Sequence, residues 1–139
     1  MSPMPLAQRV SIGALAAFVT GAGVMHFVSP QFFIDIVPDY LPNAELLVVI
    51  SGVFEILGGV GLLVPATRRF AALGLVALFI AVFPANIHMA VNHITPTGSP
   101  TLPSWMPWAR LPLQGLLIWW AYGIAANQQR PQSTTPRST

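Results

Sequence analysis

The chain has 139 residues, 54% hydrophobic and only 7% charged, with a mean hydropathy of +0.66 and a formal net charge of +2. A soluble domain usually carries about 25% charged residues, so a fully water-facing surface is excluded and most of the exterior must meet lipid. The six basic residues are scattered arginines, which argues against nucleic acid as a partner, and zero cysteines exclude thiolate metal sites and a dithiol relay.

Crossing a hydrocarbon core takes about 20 apolar residues in a helix. Four segments meet this requirement: Val10 to Val28, Leu46 to Val64, Phe70 to Val91 and Trp108 to Ala126. The first follows Arg9, but it is longer than a signal-peptide core and has no small-residue cleavage site after it, so it is expected to be a retained helix. Its small residues Gly13, Ala17 and Gly21 recur every fourth position and predict a helix–helix contact face. A proline-rich connection, "SPQFFIDIVPDYLPN" (29–43), follows.

The second span, with "ISGVFEILGGVGLLVP" at 50–65, holds one carboxylate, Glu55. Glu55 and Gly59 lie four residues apart and share a helix face, so the acid is expected to point where another backbone comes close. The tight "PATRR" (65–69) predicts a helical hairpin with the third span. That span carries Pro84, Asn86 and His88, and a second proline-rich connection, "ITPTGSPTLPSWMP" (94–107), leads to the fourth. Both connections carry aromatics suited to the headgroup layer and are expected to lie over the outer mouth of the bundle. In the fourth span Arg110 and Gln114 share a face, with Pro112 tolerated in the first turn. The polar tail 127–139 is expected to be disordered.

The fold class expected from this pattern is all-α: an integral membrane antiparallel four-helix bundle with proline-rich outer loops. It comprises a cytoplasmic N-terminus (1–9), a membrane domain (10–126) and a cytoplasmic tail (127–139). Arg9, Arg68, Arg69, Arg130 and Arg137 fall on one side of alternating helices. Asp35, Asp39 and Glu45 fall on the other, with Arg110 at its edge. The positive-inside rule therefore predicts a multi-pass protein of the cell membrane with both termini cytoplasmic.

Polar side chains at membrane depth cost about 2.5–3.5 kcal/mol on insertion scales when ionisable, and they face a partner or a cavity. His26, Asn86, Arg110 and Gln114 are expected in the same leaflet and constitute the candidate ligand-binding set. Glu55 is the candidate proton donor or acceptor. Arg110 above Gln114 would clamp a carbonyl, carboxylate or phenolic oxygen. Asn86 and His88, two residues apart, point in opposed directions, and Asn86 is preferred. No metal is assigned; the alternative set for iron or zinc is His26, Glu55 and His88. The bland reading stays open beside these: the same groups serve as hydrogen-bonding glue between helices, at about 0.6 kcal/mol each.

The strings "AGVMHFVSPQFFIDIVPDYLP" (22–42), "SGVFEILGGVGLLVP" (51–65), "FPANIHMA" (83–90) and "RLPLQ" (110–114) resemble the DoxX family of small four-helix membrane proteins. The likeness covers nearly the whole chain except its two ends. It falls on His26–Phe27, Pro30, Pro38, Glu55, Pro84–Asn86, Arg110, Pro112 and Gln114. The family takes its name from a subunit associated with thiosulfate:quinone oxidoreductase, some members accompany thiol- and quinone-stress or sulfur-transfer proteins, and one eukaryotic branch is described as a receptor-assembly chaperone. The resemblance implies an accessory subunit that binds a quinone or similar small ligand in support of a redox or sulfur-transfer partner. No cofactor is intrinsic, and any enzymatic role is that of a subunit of a quinone-linked oxidoreductase, because this chain holds no electron carrier. The alternatives are a non-enzymatic assembly factor or structural partner, a small-solute or proton transporter, and a metal-binding protein. Membrane lipid is an expected partner in all of them, and a homo-oligomer is compatible with each.

Overall fold

The computed structural model describes residues 3–99 and 101–128. Among these the chain is all-α, with five helices: α1 (Leu6–Val28), α2 (Pro30–Ile34), α3 (Ala44–Leu63), α4 (Arg68–Val91) and α5 (Met106–Asn127). Helices α1, α3 and α4 are long and apolar enough to cross a membrane. Their outward faces carry large apolar side chains, such as Phe54, Leu57, Phe70 and Ile80, that a water-facing surface would shun. These are the features of an integral membrane protein. Three helices meet the requirement, where four spans were expected. The segment Trp108 to Ala126 is helical within α5, but Arg110, Pro112 and Gln114 make it less apolar than the others.

Two boundaries also shift. Helix α1 begins at Leu6, taking Arg9 into its first turns. The first proline-rich connection contains α2, started by Pro30 at a position where a missing N–H costs nothing. The expected disorder of the tail, and the charges of Arg130 and Arg137, fall outside the described residues apart from Asn127 and Gln128.

Helix α1 packs on α3, α3 on α4 and α4 on α5, and one apolar core joins them, with Leu15, Leu62, Leu75 and Ala121 fully buried. A hydrogen bond from Trp120 Nε1 to Ser11 Oγ, 2.8 Å, ties α5 back to α1. The contact registers are opposed between successive helices: Gly58 and Gly61 of α3 meet Leu75 and Ala71 of α4 respectively.

The α1–α3 contact corrects one expectation. Gly13, Ala17 and Gly21 do not face a neighbour: Ala17 and Gly21 are exposed, and a Cβ at either glycine would meet nothing within 4 Å. The contact lies on the adjoining stripe. There a Cβ added to Gly59 would lie 2.9 Å from the Ala16 carbonyl oxygen and against Thr20 Oγ1, and one added to Gly23 would lie 2.8 Å from the Gly52 carbonyl oxygen. Four-residue spacing marks small faces but does not say which one finds a partner.

The α3–α4 hairpin is closed by side chains as well as by its tightness. Arg68, 6% exposed, donates from Nε to the Leu62 carbonyl (2.7 Å) and from Nη2 to that of Leu63 (3.3 Å). Thr67 Oγ1 donates to the Gly61 carbonyl at 3.0 Å. These are carbonyls that the end of α3 leaves without helical partners, and a cation there also suits the helix dipole. Arg68→Ala is therefore expected to lower stability by about 1–3 kcal/mol, with Lys recovering part of the loss, in an unfolding titration of the detergent-solubilised protein. Equal stability of Arg68→Ala and wild type would show the cap to be idle.

Candidate functional site

A cavity of about 430 Å³ lies toward the α2 end of the helices, and all four long helices contribute to it. Its walls are mainly apolar. The polar residues lining it are His26 from α1, Ser51 and Glu55 from α3, Asn86 from α4, and Arg110 and Gln114 from α5. All five side chains expected to form the site thus reach one cavity, although they are separated by up to 88 positions in the chain (114 minus 26).

The close approach of α1 and α3 builds the first half. Because Gly23 and Gly52 let the backbones come together, the His26 and Glu55 side chains meet, with Nδ1 to Oε2 at 3.3 Å. Nδ1 lies 2.9 Å from the Ala22 carbonyl, an acceptor only, so that nitrogen carries the proton and donates along its own helix. Glu55 Oε2 is buried with no hydrogen-bond partner among the described residues. Both side chains are sheltered, at 8% residue exposure each.

The α4–α5 contact builds the second half, and its chemistry is different. Asn86 Nδ2 donates to Gln114 Oε1 at 2.5 Å, and Gln114 Nε2 donates to the Phe79 carbonyl at 2.7 Å. Phe79 lies five residues before Pro84, next to the carbonyl whose helical bond the proline deletes. The Gln114 amide thus ties α5 to α4 one residue from that break. Asn86 and Gln114 therefore spend much of their bonding capacity on each other. Arg110 does not join Gln114 in a two-armed clamp. Its guanidinium contacts Met89 Sδ at 3.6 Å and lies 5.7 Å from the centre of the Phe32 ring, with no carboxylate beside it among the described residues.

Helix α2 supplies what the sequence reading left at the headgroup layer. Phe33 stacks on His26, with ring centroids 3.7 Å apart and planes 17° from parallel, while Phe32 lies beneath Arg110. Residues Phe33, Ile36, Val37, Pro38 and Leu41 line the cavity, so the first connection does cover it. No described residue of 94–107 lines it. The second connection is instead tied to the first: the Thr97 amide donates to Asp35 Oδ2 at 2.8 Å, and Gln31 Nε2 donates to Oδ1 at 2.6 Å. Pro30 at a helix start, followed by two aromatics, was the available signal for α2. Ser51 had none beyond its turn-spaced position before Glu55.

The bonds from Thr97 and Gln31 stabilise the Asp35 carboxylate and hold its pKa below the ordinary aspartate value. A folded pKa below the unfolded one gives a contribution that is present above about pH 4 and is lost as pH falls through the folded pKa. Hydrogen exchange at the Thr97 amide is expected to speed up across that acidic window, beyond its intrinsic pH dependence. In Asp35→Asn the extra acceleration should vanish. An unchanged profile in the variant would mean the tether does not hold the loop.

The alternative metal set is not assembled. His88 does not line the cavity, and among the described residues no three His, Asp or Glu side chains come together. Two positions on a helix span about 200°, which turns His88 away from Asn86. Its Nδ1 is buried without a partner among the described residues, and the structure offers no account of that. His93, with φ of 50°, ends α4: the Ile94 amide reaches back to the Met89 carbonyl, the pattern of a helix stop.

Residues 15–125 match the domain of unknown function DUF8561, most of the 139-residue chain. The chain belongs to that family. The match contains all four long helices in large part and every polar residue of the cavity. No curated protein and no solved structure matches the chain.

Proposed function

We propose that the protein is a DoxX-like membrane subunit that binds the head of a quinone, or of a similar small amphiphile, in this cavity, in support of a redox partner. In this reading α5 crosses the bilayer with the other three, giving an antiparallel four-helix bundle with both termini cytoplasmic. The cavity then opens in the outer leaflet. Arg9, Arg68 and Arg69 against Asp35, Asp39 and Glu45 supply the charge asymmetry that supports this orientation.

The observation carrying the proposal is the cavity itself: a largely apolar chamber of about 430 Å³ into which four helices direct a few polar groups. Small-molecule sites have this construction, with apolar walls for bulk and few polar groups for orientation. Arg110 would hold an oxygen of the head and Glu55 would take or give a proton. Electrons would come from the partner.

The test is mass spectrometry of small molecules retained after gentle detergent purification. Wild-type protein is expected to retain a quinone that Glu55→Gln releases. A second reading, an assembly factor whose polar groups only pack helices, is favoured by the Asn86–Gln114–Phe79 bonds, which are satisfied without a ligand. No retained species in either protein would support it and overturn the first.

A further inference from the structure

We infer that the occupant's apolar tail leaves the cavity sideways, through a cleft between α3 and α4, so that the site takes a head carried on a long alkyl or prenyl chain; this rests on the reading that a quinone-like head binds in the cavity. The cleft follows from one pair of helix faces. Near the hairpin turn, Gly58 and Gly61 of α3 meet Leu75 and Ala71 of α4, and Leu75 is only 1% exposed. Ile50 and Phe54 extend the Gly58 stripe at four-residue steps, and Leu78, Val82 and Ala85 extend the stripe of Ala71 and Leu75. The same antiparallel register sets Phe54 opposite Leu78 and Ile50 opposite Val82. Helices still in contact would bury these positions. Instead all five line the cavity, Ile50 and Phe54 are 41% and 56% exposed, and Ala81, which also lines it, is exposed beside them. Residues that line a cavity and also face outward stand at its mouth.

Both helices are long and apolar enough to span a membrane, so a mouth in their sides meets acyl chains. The α2 end of the cavity is treated differently. Ile36 and Pro38 of the first connection line it and are buried, and the Thr97–Asp35 bond ties the second connection to the first. The walls of the cleft are apolar, and the lining turns polar inward, through half-buried Ser51 to buried Glu55. A polar head inside and an apolar chain outside match this gradient. Phe18 of α1 and Leu113 of α5 also line the cavity and are exposed, marking a second side gap. Its flanking side chains are large, whereas Ala81 and Ala85 leave the α3–α4 cleft room for a chain.

The experiment uses a decyl-ubiquinone analogue with a diazirine midway along its tail, irradiated with purified protein in nanodiscs and mapped by mass spectrometry. Label that excess decyl-ubiquinone competes away is expected within 50–54 of α3 and 78–85 of α4. Ala81→Trp should weaken decyl-ubiquinone binding at least about tenfold while changing that of the same head without a tail less than about twofold. Leu113→Trp should change neither. If Ala81→Trp does not fold, the labelling of wild type still decides. Competable label on α1 and α5 or on the first connection would overturn the cleft and leave the head site standing. So would equal loss of both compounds in Ala81→Trp, since the indole would then occupy the space of the head. Failure of both compounds to bind wild type would overturn the reading of the site itself.

Discussion

Gly59→Leu is expected to separate α1 from α3 and to lower stability by more than about 3 kcal/mol. Between helices in lipid there is no hydrophobic driving force, since acyl chains are as apolar as leucine, and close backbone approach supplies much of the attraction. At Gly59 that approach has no slack. An added Cβ meets the Ala16 carbonyl oxygen at 2.9 Å, the Thr20 nitrogen at 3.1 Å and Thr20 Oγ1, two of them backbone atoms that cannot turn aside. Overpacking a tight contact costs about 1–3 kcal/mol, and a four-carbon side chain against backbone exceeds that range. Gly13→Leu supplies the contrast. It sits on the opposing helix, α1, in a stripe that looks equally suited to contact, yet nothing lies within 4 Å of its added Cβ. Its effect should stay within about 0.5 kcal/mol. Unfolding titrations followed by helical circular dichroism measure both, and equal losses would place the contact on the wrong face. Because the Gly23–Gly52 approach brings His26 to Glu55, Gly23→Leu should in addition disturb the cavity, visible as loss of any retained ligand.

The second large effect separates two residues that lie four positions apart on one helix. Arg110→Met is expected to weaken binding of a quinone-like head by about 10- to 100-fold, corresponding to loss of a hydrogen bond to a charged group, while leaving stability nearly unchanged. Its guanidinium makes only soft contacts, which methionine largely reproduces. Gln114→Leu should do the reverse. It strips Asn86 Nδ2 of its acceptor and the Phe79 carbonyl of its donor beside the Pro84 weakness, for about 1–3 kcal/mol of stability. Membrane interhelical bonds average only about 0.6 kcal/mol, so the upper part of the range requires that the buried Asn86 amide find no substitute acceptor. Affinity and unfolding measured on both variants test the division. If Gln114→Leu lost ligand with stability intact, the amide would belong to the binding surface and not to the helix contact.

Some of this protein was determined by its sequence alone. Scarce charge and long apolar runs specify membrane helices, because lipid tolerates no unsatisfied backbone and few ions. Helical periodicity placed Glu55 on an inward face with Gly59, and set Asn86 against His88, from residue spacing alone. The tightness of 65–69 predicted the hairpin. What the tertiary structure decided is how those faces pair. Gly13, Ala17 and Gly21 have the spacing of a contact, but which of two small stripes meets α3 depends on the rotation of one helix against another, a property of the pair. Arg68 reads as a surface charge until the end of α3 arrives beside it with bare carbonyls. Asn86 and Gln114 read as ligand groups, and only their juxtaposition, 28 positions apart in the chain, shows them bonded to each other. Periodicity reports which way a side chain leaves its own helix. What it meets there is settled by distance between segments, and hydrogen bonds and close packing act only over a few ångströms.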